Sequence, residues 1–162
     1  MKCNRKMLWM IVAAALVAQA GAQVLTGEQV QKIAPSAFFY AGQSASVQMR
    51  NTGGVKNSAG KLVLAGLVDT GGYATSVAEK YQGFFFAETK VSFEGAALDP
   101  GEYGFGFVGG KFVVTNVAGT EVISVASKND EEMKRPVPLK FEKDGDGYRL
   151  YAGRKYAAMK VE

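Results

Sequence analysis

Asp69, Thr70 and Gly71 form the segment of this chain whose residue types come closest to a catalytic motif. They directly follow the apolar run 64–68, so the carboxylate would stand at the end of a buried strand. Two carboxylates placed in this way can share one proton and activate a water molecule. Because the sequence carries one copy of the motif, such a pair would require two chains related by a two-fold axis.

The segment 69–71 resembles the Asp-Thr-Gly motif of the retropepsin-like aspartic proteases, which act as homodimers. In that family a later apolar strand ends in Gly-Arg, and residues 150–154 are loosely similar to it. The sequence departs from the family pattern at Gly72, where a hydroxyl residue or Ala is usual, and at residues 151–152, which replace two aliphatic residues. A motif of three residues recurs often by chance, so a polar strand end followed by a glycine turn is the favoured interpretation. We therefore assign no catalytic residue.

A second group of candidates consists of aromatic side chains in two predicted strands. Those that could contact an apolar ligand are Phe84, Phe86, Tyr103, Phe105 and Phe107. Strand alternation sends Phe85 to one face and its two aromatic neighbours to the other, so either both faces are covered or an apolar pocket lies on one of them. The aromatic run 38–40 could contribute to either arrangement, and the core interpretation is favoured.

The strand predicted over residues 102–108 alternates aromatic and glycine residues. Its three rings would share one buried face. Gly104 and Gly106 would then let another part of the chain approach the opposite face. The segment 104–109 also matches a G-x-G-x-x-G pattern, but a nucleotide site needs a helix after the glycines, and here another strand follows.

Residue composition excludes several kinds of catalytic and metal site. The chain has no His, and its single Cys and single Trp are Cys3 and Trp9. Ser-His-Asp and Cys-His catalysis and Cys/His zinc sites therefore lack their residues. The segment 144–147 begins like a calcium loop, but the twelfth position is Lys155 instead of Glu, so a hairpin turn is favoured. We predict no metal and no cofactor.

Residues 1–22 are predicted to be a signal peptide, and residues 23–162 a single β-rich domain. Lys2, Arg5 and Lys6 precede the apolar run 8–18, and small residues at 20–22 provide a cleavage site after Ala22. The apolar run is short for a membrane span, so no transmembrane anchor is expected after cleavage. A secreted or periplasmic location follows from this interpretation.

Net charge gives no support for nucleic-acid binding. The whole chain has 19 basic and 15 acidic residues, a net charge of +4. Removing the three basic residues of the signal leaves 16 basic and 15 acidic residues. A nearly neutral domain lacks the basic surface by which proteins bind nucleic acid.

The remaining pattern predicts an all-β fold, a single antiparallel β-barrel or β-sandwich of about eight to ten strands. A capping box at residues 26–29 predicts a short helix whose apolar face contains Val30 and Ile33. A second helical turn is predicted at 76–81, and a third in the polar stretch 127–135. The predicted strands cover residues 44–50, 61–68, 83–93, 102–108, 111–117, 120–126, 137–142, 148–151 and 155–161.

Four segments resemble a group of uncharacterised secreted bacterial proteins of acidobacterial type: residues 60–69, 79–83, 100–108 and 148–154. The resemblance implies export and a β-rich domain, and it transfers no activity. We therefore expect an exported, non-enzymatic β-domain that binds a ligand or partner in the cell envelope. A homodimeric aspartic protease using Asp69 is the alternative. The sequence predicts neither the ligand nor the oligomeric state.

Overall fold

Residues 21–162, described by the computed structural model, form two antiparallel β-sheets and two short helices. The strands are β1 (Gln23–Val24), β2 (Ala37–Tyr40), β3 (Gln43–Lys56), β4 (Leu62–Val68), β5 (Gly83–Ala87), β6 (Val91–Phe93), β7 (Ala96–Leu98), β8 (Gly101–Val108), β9 (Lys111–Asn116), β10 (Glu121–Ala126), β11 (Lys128–Asn129), β12 (Val137–Asp144), β13 (Gly147–Gly153) and β14 (Lys155–Val161). The helices are α1 (Gly27–Gln31) and α2 (Thr75–Ala78). The predicted signal peptide, apart from its last two residues, lies outside the described residues.

The larger sheet has the strand order β1-β3-β4-β5-β8-β9-β10, with β2 paired to the first half of β3. The smaller sheet has the order β12-β13-β14-β6-β7, with β11 paired to β14. This confirms the predicted all-β antiparallel class, as a sandwich rather than a closed barrel. Residues 21–162 contain 14 strands, more than predicted, because four of them have only two or three residues, which is too short for an alternation pattern to reveal.

The main core lies between the two sheets. The predicted burial of the aromatic face of β8 is confirmed, because Phe105 and Phe107 belong to this core and Tyr103 packs against it. Phe112 lies beside both of the buried rings, with centroids 5.8 Å from Phe105 and 5.0 Å from Phe107. Rings at these separations gain contact energy beyond their area burial, which favours one fixed packing of the core.

The single strand predicted over residues 83–93 is wrong, because the chain changes sheet between β5 and β6. The backbone N–H of Glu88 still donates to the Leu62 carbonyl, at 2.9 Å, while Val91 already pairs with β14 of the other sheet. Phe85 and Phe93 nevertheless enter the same core, with ring centroids 5.3 Å apart. The apolar alternation therefore continues where the chain passes from one sheet to the other, because the inner faces of both sheets contribute to the same core.

The helical turn predicted in residues 127–135 is also wrong. The segment instead contains β11 and a turn in which Asp130 Oδ1 accepts hydrogen bonds from the backbone N–H groups of Glu132 and Met133. Asp side chains favour turns for this reason, since they bond to the backbone two or three residues ahead. A polar stretch before a proline is compatible with either structure, and this carboxylate stabilises the turn.

A second core covers the outer face of the larger sheet, and it explains the glycines of β8. Between Val47 and Thr52 the register of β3 against β4 shifts, and the hairpin of β2 with the first half of β3 packs over that face. A Cβ atom at Gly104 would lie 2.6 Å from Cε2 of Tyr40, and one at Gly106 would lie 2.7 Å from the Lys80 carbonyl oxygen. The predicted close approach at both glycines is therefore confirmed.

The predicted capping box at the start of α1 is confirmed, with Thr26 Oγ1 accepting from the Gln29 backbone and Gln29 Oε1 from the Thr26 backbone. Val30 is fully buried in the second core. The prediction that Ile33 belongs to the apolar face of this helix is wrong, because the helix ends at Gln31; Ile33 follows it and is 46% exposed.

Candidate functional site

A cleft of about 310 Å³, lined mainly by apolar residue types, opens at the outer face of the larger sheet, beside the hairpin of β2 and β3. Its lining residues come from the segment after α1, from β2 and from three neighbouring strands of the sheet: Ile33, Pro35, Ala37, Phe38, Phe39, Leu64, Phe84, Phe86 and Glu102. Concave, mainly apolar surfaces of this size are where proteins bind small molecules. We therefore take this cleft as the candidate site.

The floor of the cleft is formed by side chains of β4 and β5, and the register of these two strands places them together. Leu64 of β4 pairs with Phe86 of β5, so their side chains project side by side from the outer face. Phe84 projects from the same face two residues earlier, and Gly66 makes room for its ring, since a Cβ atom there would lie 2.5 Å from Phe84 Cε1. Phe38 stacks on Phe84 with centroids 5.4 Å apart and an interplanar angle of 21°. The buried rings fix the shape of the cleft.

The rim of the cleft exposes large apolar side chains to solvent. Phe39 is 62% exposed, although Phe38 and Tyr40 on either side of it are buried. This follows from the alternation of β2, which directs Phe38 and Tyr40 into the second core and Phe39 away from it. Ile33 adds a second exposed apolar side chain. An apolar rim beside an apolar floor is a feature of binding surfaces.

The five aromatic candidates from the sequence do not form one site. Phe84 and Phe86 line the cleft, whereas Phe105 and Phe107 face the main core and Tyr103 packs against its edge. The larger sheet itself separates the two groups. Sequence reasoning missed Ile33 and Glu102; the exposure of Ile33 depends on the early end of α1, and the position of Glu102 depends on its pairing across β5 and β8.

Asp69, Thr70 and Gly71 follow β4 in an exposed turn. Asp69 Oδ1 accepts a hydrogen bond from the backbone N–H of Gly71 at 3.1 Å, and the Asp69 N–H donates to the Ser46 carbonyl at 2.9 Å. Arg154, which resembled the second protease segment, lies between β13 and β14 of the other sheet and donates to the Met133 carbonyl. In this chain the Asp69 carboxylate thus stabilises a turn.

Three tyrosines attach the segment after Asp69 to the β2–β3 hairpin. Tyr40 stacks on Tyr81, and Tyr73 meets both rings edge-on. Tyr73 Oη lies 3.1 Å from the Tyr40 carbonyl and 3.0 Å from the Gln43 carbonyl, either of which can accept its hydrogen. Burial raises the pKa values of Tyr73 and Tyr81. Both phenols therefore stay protonated at neutral pH. Tyr73 donates a hydrogen bond and both rings pack, so neither acts as a nucleophile.

A second cleft, of about 440 Å³, lies on the smaller sheet, and ion pairs occupy its acidic groups. Asp146 pairs with Lys160 at 2.9 Å, Asp144 with Arg149 at 2.8 Å, and Glu94 with Lys128 at 3.1 Å. The hydrogen bond from Lys160 lowers the pKa of Asp146. These carboxylates already have cationic partners, so the cleft beside β2 remains the stronger candidate.

Within residues 21–162, no three Asp, Glu, His or Cys side chains come close enough together to hold a metal ion. No helix in this described range has the length and apolar character needed to cross a bilayer. Comparison of the chain with protein-family models, curated proteins and solved structures gave no match.

Proposed function

We propose that this protein is an exported, non-enzymatic β-sandwich that binds an apolar ligand in the cell envelope through the cleft beside β2. The observation that carries the proposal is the exposed ring of Phe39 at the rim of a cleft whose floor is made of buried aromatic rings. Covering such a rim removes apolar surface from water, at about 25 cal/mol per Å². A bound ligand would cover the rim in this way.

Rigidity of the cleft supports a binding role. Phe38 and Phe84 are buried and stacked, and Gly66 seats the Phe84 ring against the sheet. A ligand would therefore meet a surface that is already formed, and little side-chain freedom would be lost on binding. The non-enzymatic part of the proposal rests on the absence of His from the sequence and on the turn role of the Asp69 carboxylate.

Export rests on the signal sequence predicted over residues 1–22. When the full-length gene is expressed in a bacterium, mass spectrometry of the periplasmic or secreted fraction should identify Gln23, or its cyclised form, as the first residue. Recovery of the protein only from the cytoplasm with Met1 still present would contradict export. That result would not affect the binding proposal, which is tested separately.

Binding can be tested with N-phenyl-1-naphthylamine, a neutral apolar dye whose fluorescence increases in apolar surroundings. We expect the purified protein to bind the dye, and Ile33→Ser and Phe39→Ser to weaken binding because each removes apolar contact from the rim. Val122→Ser is the matched control: Val122 lies on β10, outside the cleft, and is 45% exposed, nearly the same as Ile33. Thermal melts of each variant establish that the fold is intact.

Equal weakening by all three substitutions would show that the dye binds exposed apolar residues without preference. No binding by the wild-type protein, or no effect of the two rim substitutions, would contradict the proposed site. Amide chemical shifts recorded by NMR during the titration locate the dye independently. We expect the largest changes in β2 and β5.

A further inference from the structure

We infer that the ligand of this cleft is a small cationic amphiphile, an apolar chain or ring that bears an ammonium or guanidinium group, and that Glu102 binds its charge. The inference rests on the proposed function, and it adds the chemical class of the ligand. It is carried by the position of one carboxylate at the edge of a cleft whose other lining residues are of apolar type.

Strand register places Glu102 beside the apolar floor. Glu102 of β8 is the direct partner of Phe86 of β5, so the two side chains project from the same face of the sheet. Leu64 flanks Phe86 on its other side. Leu64, Phe86 and Glu102 therefore lie side by side across three neighbouring strands, in that order. Among the residues that line this cleft in the described chain, Glu102 alone is charged.

The Glu102 carboxylate differs from the acidic groups of the second cleft in having no cationic partner. Within residues 21–162 no Lys or Arg nitrogen lies within 4.0 Å of it, and no hydrogen bond to its side chain is formed. The residue is exposed, so water solvates the charge while the cleft is open. Its charge is thus available to a ligand.

Desolvation decides which ligands this arrangement favours. A neutral ligand that covered the cleft would remove water from the carboxylate without replacing its hydrogen bonds, which costs free energy. An anionic ligand would add repulsion between like charges. A cationic donor replaces the lost water with a charge-assisted hydrogen bond, so its binding is penalised least.

Cleft size limits the apolar part of the ligand. A volume of about 310 Å³ is at the lower end of the range for small-molecule sites, roughly 300–1,000 Å³. It suits a short alkyl chain or a small ring system rather than a long lipid or a folded protein surface. The ligand is therefore a small molecule.

Three decyl compounds that differ in head group provide the test: decyltrimethylammonium, decyl sulfate and the neutral decyl maltoside, each titrated below its micelle-forming concentration. Dissociation constants are measured by calorimetry for the wild-type protein, Glu102→Gln and Glu102→Lys. Glu132→Gln is the matched control, because Glu132 is an exposed carboxylate in the turn after β11, remote in sequence from the cleft and not among its lining residues. Thermal melts check the fold of every variant.

We expect the wild-type protein to bind the ammonium compound most tightly. Glu102→Gln should weaken that binding about three- to fivefold, the range for a solvent-exposed charge pair. Binding of the maltoside should become equal or slightly tighter, because a neutral amide costs less to desolvate than a carboxylate. Glu102→Lys should reverse the order of the ammonium and sulfate compounds, and Glu132→Gln should change neither.

Two kinds of failure can be told apart. If all three compounds bind equally and Glu102→Gln has no effect, the inferred ligand class is wrong while the cleft remains a binding site. If none of them binds, and the neutral dye does not bind either, the proposed function itself fails. If Glu102→Gln and Glu132→Gln weaken binding of the ammonium compound equally, the preference for that compound arises from the net charge of the protein. That result would overturn the role of Glu102.

Discussion

Tyr40 and Tyr81 stack with ring centroids 3.8 Å apart, yet only one of their buried hydroxyl groups has a partner. Tyr40 Oη lies 2.7 Å from Thr115 Oγ1. In the described part of the chain, Tyr81 Oη has no hydrogen-bond partner. Both rings are buried and stacked on each other, but only the Tyr40 hydroxyl has a hydrogen-bond partner, so the two tyrosines can be compared by the same substitution.

Replacing each tyrosine by Phe should change stability in opposite directions. Tyr40→Phe removes a buried hydrogen bond and should lower the free energy of unfolding by about 1 kcal/mol. Tyr81→Phe removes a buried hydroxyl that has no partner and should raise it by about 1 kcal/mol. Urea denaturation measures both. A loss of stability in Tyr81→Phe as large as that in Tyr40→Phe would show that the Tyr81 hydroxyl does have a partner.

Alkaline pH should destabilise the protein partly through Tyr81. Burial raises the pKa of Tyr81 in the folded state above its ordinary value of about 10. Below pH 10 the phenol is protonated in both states, so its contribution is fully present. Above pH 10 the unfolded state loses the proton first, and stability falls as the pH rises towards the folded-state value. The free energy of unfolding should therefore decrease less in Tyr81→Phe than in the wild type between about pH 10 and 12.

Gly106→Ala should destabilise the outer face of the larger sheet. The new Cβ atom would lie 2.7 Å from the Lys80 carbonyl oxygen, and a backbone contact cannot be relieved by a rotamer change. We expect a loss of about 1–3 kcal/mol, the usual cost of overpacking. Gly27→Ala is the control, because its Cβ atom would meet only Gln31 Nε2 at 4.0 Å. Similar losses in the two variants would show that the contact at Gly106 is not tight.

Phe105→Ala should be among the more damaging single substitutions, because its ring is completely buried between the sheets. A cavity of this kind costs about 3–5 kcal/mol. Phe39→Ala truncates the same side chain at the exposed rim, and it should change the melting temperature little. Calorimetric melts of both proteins provide the measurement, and an unchanged melting temperature in Phe105→Ala would place that ring outside the core.

Asp69→Asn should leave both stability and peptide cleavage unchanged. The amide oxygen of Asn can accept the Gly71 N–H as the carboxylate does, and it lacks the charge needed to activate a water molecule. Purified wild type should therefore cleave unfolded peptides no faster than the variant from acidic to neutral pH. Pepstatin-sensitive cleavage by the wild type that disappears in Asp69→Asn would support the homodimeric protease instead.

Local structure could be derived from the sequence because neighbouring residues decide it. The hairpin at Gly109 and Gly110 adopts positive φ angles of 57° and 73°, which glycine reaches without strain. The capping box at Thr26 depends on residues three positions apart. Alternation along β8 similarly identified its buried face. In the turn and the capping box, the stabilising contacts join residues a few positions apart. In β8, alternation needs to show only which side chains are buried.

The cleft itself was decided by tertiary structure. Alternation indicates that a residue is buried but not which element covers it, so it could not show that β5 and β6 belong to different sheets. Nor could it show that the register of β3 against β4 shifts between Val47 and Thr52, or that the β2–β3 hairpin places Phe38 on Phe84. Glu102 becomes part of the site only through its register with Phe86. These pairings are long-range, and they are fixed by which arrangement buries the most apolar surface in the whole fold.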